Sequence, residues 1–361
     1  MNCSQPVEKK SRNMSVEAFR CFLMFLIVLG HSLSFWCGSM GFAKWPCWCL
    51  VGAGLIMWHV DAFIGISGWY GIKFTFCKFI YLLSIIAFYG LFSEVCACVF
   101  GTEEGFSWAW LYKRGGWFAP CYLALMLCSP MINAAVDAMA VRSKKILMFG
   151  WFLMAFAFAV SWAPKHLFTG INAIGFGRHT FLMMAFVYLT ARCARRIFDK
   201  AISLNRLMFV ALAYVVLVLI MALFSVELPL CRRLYHLLTS NHAPTVYVMA
   251  LVLLMIFVWH VKIPAWLEKV VRFLSPSMFG VYLFHIAIIR YNGTSAVLSD
   301  EFIRRITGSW VSIFVIAAVV FIISICVDLI RRACVSMIRP YFDRRLERLD
   351  KWVVSKTGGF A

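Results

Sequence analysis

Apolar residues fill this chain in long blocks, and most polar residues fall between them. The blocks are residues 19–37, 48–70, 76–99, 117–136, 146–162, 171–190, 207–225, 245–262, 276–292 and 309–330. A membrane-spanning helix needs about 20 mostly apolar residues, so each block reads as a span. The fifth is barely long enough, and the ninth is polar for a lipid-facing helix. The pattern predicts an all-α polytopic membrane protein of about ten transmembrane helices. It divides into an N-terminal segment (1–18), a ten-helix membrane domain (19–330) and a basic tail (331–361). The first block lacks a small-x-small exit and runs on into Phe35 and Trp36, which predicts a retained helix rather than a cleaved signal.

Charge gives the predicted spans a direction. With residues 1–18 in the cytoplasm, the inner segments collect Lys9, Lys10, Arg12 and Arg20, then Lys73 and Lys78, and then Arg142, Lys144 and Lys145. They continue with Arg192, Arg195, Arg196, Lys200 and Arg206, with Lys262, Lys269 and Arg272, and with the tail from Arg331 onward. The outer loops hold only Lys44, Lys113, Arg114, Lys165, Arg232, Arg233, Arg304 and Arg305. Basic residues favour the cytoplasmic side, so both termini are expected inside. The formal charge of +19 is thereby a statement about topology rather than about nucleic acid. Composition agrees, at 63% hydrophobic and 14% charged with mean hydropathy +0.84. A typical soluble domain is about a quarter charged. The fourteen cysteines lie mostly within apolar blocks, where cysteine behaves as a small hydrophobe. The spacing of Cys47 with Cys49, or of Cys96 with Cys98, does not demand a disulfide, and no ligand set suggests a metal.

Ionisable residues inside spans are costly and mark functional sites. Arg20 opens the first span and His31 lies eleven positions on, near three full helical turns, so both fall on nearly one face about 16 Å apart along the axis. Interface anchoring for Arg20 and a bond to a neighbouring helix for His31 are the structural alternatives. Asp61 and His59 lie in the second span, two positions apart and so on different faces, with Ser67 and Gly68 following at packing-seam spacing. Arg178 sits in the sixth span and needs an acid, a cavity or an anionic ligand, with Asp61 and Glu94 as candidate acids. His285 in the ninth span reads more readily as a packing histidine.

Four ordered blocks carry a resemblance. Arg20 to His31, with Glu17 just before, is similar to the Arg-x10-His signature of the membrane-bound acyltransferase-3 family, the bacterial polysaccharide and lipid O-acyltransferases. Val60-Asp61-Ala62-Phe63-Ile64-Gly65-Ile66-Ser67-Gly68-Trp69 resembles its Val-Asp-x-Phe-Phe-x-x-Ser-Gly-Phe/Tyr. Trp117-Phe118 through Tyr122 to Pro130, and Ser277 through His285, resemble its third and fourth blocks. Trp69 stands where the family has Phe or Tyr, and the family's Arg-x-x-Arg pair is reduced to Lys73 and Lys78.

The resemblance implies an O-acyltransferase, most readily an O-acetyltransferase, with cytoplasmic acetyl-CoA or another acyl-CoA as co-substrate. The acceptor implied is a hydroxyl of a surface polysaccharide or its lipid-linked precursor. An imidazole with the ordinary pKa of about 6.5 can take a hydroxyl proton at physiological pH, so His31 is the expected base. Arg20 and Glu17 are expected beside it in the catalytic set. Lys73, Lys78, Arg192, Arg195 and Arg196 are the expected surface for the polyanionic donor. Intramembrane His, Asp and Arg would also suit a proton-coupled transporter, and a non-catalytic scaffold of glycan assembly is a third reading. Acyl-CoA-dependent turnover separates the enzyme from both.

Overall fold

In the computed structural model the structure describes residues 12–38, 45–99, 116–167, 180–225, 227–240, 243–291 and 310–357. Among these there is helix and no strand. The chain begins with α1 (Met14–Gly38), α2 (Cys47–Ile56), α3 (His59–Tyr70) and α4 (Phe76–Val99). It continues through α5 (Phe118–Arg142), α6 (Lys144–Leu167), α7 (Phe181–Ile197) and α8 (Leu204–Ser225). The short α9 (Pro229–Thr239) leads into α10 (Pro244–Trp259), and α11 (Ala265–Leu274) leads into α12 (Met278–Tyr291). The long α13 (Trp310–Thr357) ends the described chain.

Each predicted block is represented by helix, although part of the sixth lies outside the described residues. Six of the helical stretches are long and apolar enough to cross a bilayer, or seven if the bent pair at 230–259 is one broken span. Three features were not read from the pattern. The second block is two helices, α2 and α3, separated by a turn at Met57–Trp58. The loop expected around Arg232 and Arg233 contains α9. The basic tail continues the helix of the last block, α13 running unbroken for 48 residues.

Local chemistry places the helix ends. Asn13 caps α1, its Oδ1 accepting from Ser15 N at 3.1 Å and from Val16 N at 3.3 Å. Gly71 ends α3 at φ 74°, a left-handed conformation that glycine adopts without a Cβ penalty, and its N–H returns to Ser67 O at 3.0 Å. Proline opens α9 and α10, where its missing N–H costs nothing. The far end of α13 reaches back to α4, whose first N–H, from Phe76, donates to Asp350 Oδ1 at 2.6 Å. A carboxylate there meets the positive end of the α4 dipole.

The core is built on α3 and α10. In α3 nearly every side chain from His59 to Trp69 is buried, Val60 and Ser67 being the exceptions, and Val246 and Leu254 of α10 are 0% exposed. The outside is inverted relative to a soluble protein. Phe209, Leu212 and Leu223 of α8 and Phe149, Phe152 and Phe156 of α6 face outward, which costs nothing where the solvent is hydrocarbon.

The segments that charge assigned to one side of the membrane touch one another at one end of this bundle. Ser15 Oγ donates to Val261 O at 2.7 Å, and Asn133 Nδ2 to Ile72 O at 3.0 Å. Lys144 pairs with Asp199 at 2.5 Å, and Arg332 Nη1 reaches Phe273 O at 3.3 Å. The helix α11 lies at the same end. Its Trp266, Val270 and Phe273 are exposed at helical spacing beside Lys269 and Arg272, an apolar stripe with basic neighbours that suits an interface.

Candidate active site

His31 and His285 are brought together across 254 residues of sequence. Nδ1 of His31 lies 2.8 Å from Nε2 of His285, and the two ring planes are 21° apart. His31 is half-buried in the wall of a cavity of about 120 Å³, and His285 stands behind it, 0% exposed. The other walls carry His59 and Asp61 together with Trp45, Phe63, Trp117, Phe118, Phe279 and Tyr282. The third and fourth sequence blocks thus supply the aromatic wall. Phe118 meets Tyr282 with centroids 5.1 Å apart, and Tyr282 meets His285 at 5.6 Å.

His59 and Asp61 open α3 just after the turn at Met57–Trp58, two positions apart on the same helix, and both line the space. Asp61 at 2% exposure lies in the first turn of α3, where a carboxylate is favoured by the helix dipole. His59 also lies against α1 at Gly30, where an added Cβ would sit 3.3 Å from His59 Nε2. His59 was visible in the Trp-His-Val-Asp run and received no role.

Arg20 does not share the cavity. Its guanidinium pairs with Glu17, Nη1 lying 2.8 and 2.7 Å from the two carboxylate oxygens. Its side chain is 28% exposed at the basic end of the bundle. The five basic donor candidates lie at that end in different states. Lys73, Lys78 and Arg195 are exposed, Arg195 lying over the Trp69 ring at 5.7 Å and Lys78 Nζ donating to Lys73 O at 3.2 Å. Arg192 and Arg196 both bind Asp137, at 2.8 Å each. Ser67 is at hydrogen-bond distance from Tyr122 Oη, 3.1 Å, in the seam between α3 and α5. Arg178 lies outside the described residues. Among the described residues no group of His, Cys, Asp and Glu has the arrangement of a metal site.

The loop carrying Lys73 is clasped from both sides. Ile72 N–H donates to Tyr188 Oη at 2.9 Å, Tyr188 O–H donates to Asn133 Oδ1 at 2.8 Å, and Asn133 Nδ2 donates back to Ile72 O at 3.0 Å. Three groups on three elements thus close a ring in which each polar atom has a partner. Tyr188→Phe is expected to open it and to cost about 1 kcal/mol, because a half-buried N–H and an amide oxygen then lose their partners. The check is the thermal midpoint in detergent, with Asn133→Ala adding little in the double variant. A Tyr188→Phe protein that melts with wild type would show that the ring is not stabilising.

Residues 13–329 match a family model described as an acyltransferase domain, that of the acyltransferase-3 family. No curated protein and no solved structure is matched by the chain.

Proposed function

Since the chain belongs to this acyltransferase family, we propose that it is a membrane O-acyltransferase that uses His31 to move an acyl group from acyl-CoA to a hydroxyl acceptor. The acyl group is most readily acetyl. The acceptor is a surface polysaccharide or its lipid-linked precursor, and the membrane is the cytoplasmic one. The observation that carries this reading is the His31–His285 pair on the wall of a cavity lined by the blocks through which the chain resembles its family.

In this reading the end of the bundle that gathers Arg20, Lys73, Lys78 and Arg195 faces the cytoplasm and attracts the CoA phosphates. Arg192 and Arg196 contribute less, since Asp137 already neutralises part of their charge. Glu17 orients Arg20. The acceptor oxygen attacks the thioester carbonyl while His31 takes its proton. The carbon–sulfur bond breaks, and the proton passes from His31 to the departing thiolate, leaving the ester and free CoA. Attack by His31 itself, through an acyl-imidazole, is the variant route. Asp61 and His59 face the same space and are placed to hydrogen-bond an acceptor hydroxyl.

The test is mass spectrometry of the host's envelope glycans with the chain intact, deleted, and restored as His31→Ala. Deletion is expected to remove an O-acyl group, and His31→Ala to return it at a rate about 100- to 10,000-fold lower. Full return with His31→Ala at normal expression would exclude His31 as the base. Unchanged acylation on deletion would exclude the transferase.

A further inference from the structure

We propose that His285 is a positioning residue that fixes the tautomer of His31, so that the bare nitrogen of His31 is Nε2. The proposal rests on His31 being the base, and it adds what holds that base ready.

The argument starts at a backbone carbonyl. Nδ1 of His285 lies 2.9 Å from Val281 O, one turn earlier on α12. A carbonyl oxygen only accepts, so Nδ1 carries a proton. A neutral imidazole has one N–H, which leaves Nε2 of His285 as an acceptor. That nitrogen lies 2.8 Å from His31 Nδ1. Two bare nitrogens at this distance would repel, so His31 Nδ1 carries the proton and donates it. Nε2 of His31 is then the nitrogen with a lone pair. The opposite polarity needs protons on both nitrogens of a fully buried ring, which burial opposes. It would also put the proton of His31 on Nε2 and disable it as a base.

The chain of bonds has a second property. When His31 takes a proton at Nε2, His285 accepts from its other N–H and spreads the charge. A second proton on the fully buried ring of His285 is opposed by burial, and Val281 O beyond it cannot be protonated in this range, so the proton returns from His31 to the leaving thiolate rather than being lost along the relay. A carboxylate performs the orienting part of this role in serine hydrolases, and a wrong tautomer there is very costly. Here a neutral ring would do it without adding a second buried carboxylate to a cavity that Asp61 already lines. The seat of that ring is rigid. Gly280, five residues before His285, lies directly against Asp328 of α13, and Ser277 accepts from Arg332 at 3.0 Å.

The experiment uses the full chain in lipid nanodiscs with 15N-labelled histidine, at about pH 8, where free imidazole is neutral. Protonated and bare ring nitrogens are resolved by their nitrogen shifts, and the His31 signals are identified by their loss in His31→Asn. His31 is expected to carry its proton on Nδ1. In His285→Leu it is expected to become a mixture of tautomers. Acetyl-CoA turnover is read on the same preparations as free thiol, with a membrane extract of the host supplying the hydroxyl acceptor. His285→Leu is expected to lose about 100-fold or more in kcat, with KM for acetyl-CoA within about threefold. His285→Gln, whose Oε1 can accept where Nε2 did, is expected to keep within about tenfold of wild type. A proton on Nε2 of wild-type His31 overturns the proposal. So does His285→Leu turnover within threefold of wild type, or His285→Gln as inactive as His285→Leu when both elute as folded protein. If wild type shows no turnover of acetyl-CoA, the acetyl-transfer reading fails, and the nitrogen shifts still decide the tautomer.

Discussion

Asp328→Ala is expected to destabilise the protein by about 3–5 kcal/mol, lowering its thermal midpoint in detergent by on the order of 5–10 °C. Asp328 and Arg331 are 0% and 2% exposed. Asp328 Oδ1 accepts from Tyr89 Oη at 2.8 Å and from Arg331 Nε at 2.7 Å, joining α4 to α13. The attraction within such a pair does little more than offset the cost of burying it. Removing the acid alone leaves a guanidinium that cannot lose its proton in an apolar seat. The reciprocal change, Arg331→Met, is expected to cost less, because a carboxyl can neutralise itself by binding a proton. Asp328→Leu with Arg331→Met is expected to recover most of the loss. An Asp328→Ala protein melting within about 2 °C of wild type would show that Arg331 finds water or another partner. A double variant as poor as Asp328→Ala would show that packing around the pair, not its charge, carries the stability.

Gly68→Ala is expected to cost about 1–3 kcal/mol, toward the upper end of what overpacking brings. An added methyl would overlap the carbonyl oxygen of Tyr188 and approach the Ala191 side chain to 3.0 Å. The obstacle is backbone of α7, which cannot rotate away as a side chain would, so α3 and α7 must separate. Separation also pulls Tyr188 from Ile72, so the loop bearing Lys73 should become accessible to protease. Gly65→Ala is the control on the same helix. Its Cβ would meet only Leu254 Cδ2 at an ordinary 3.6 Å, and it is expected to be neutral within about 0.5 kcal/mol. Equal behaviour of the two variants in midpoint and proteolysis would remove the close-approach argument.

The apolar blocks located the helices because hydrocarbon imposes one rule on every span, that the backbone bonds to itself. They could not show the turn at Met57–Trp58, since both sides of it are apolar, nor the length of α13, since a helix leaving the membrane changes composition without changing its bonds. His31 was legible as a candidate site residue because an ionisable group in the middle of a span demands a reason. Its partner was not. Nothing local distinguishes a packing histidine from an orienting one, and the packing role expected of His285 is what brings it onto His31. The charges of Arg192 and Arg196 were legible, but their pairing with Asp137 depends on how α5 meets α7. The ring of Ile72, Tyr188 and Asn133 was invisible for the same reason, as it joins three elements.

The two histidines that meet at the cavity stand on the first and on the last but one of the described helices, 254 residues apart. A ribosome adds about 5–20 residues per second, so His31 enters the membrane roughly 13–50 s before His285 has been made. For that interval α1 carries a polar ring with its eventual partner still unsynthesised. The nascent chain must tolerate this, through water, lipid headgroups or the insertion machinery. Chains that stop early would hold most of the helices and only one member of the pair, so the site cannot assemble before the chain is nearly complete.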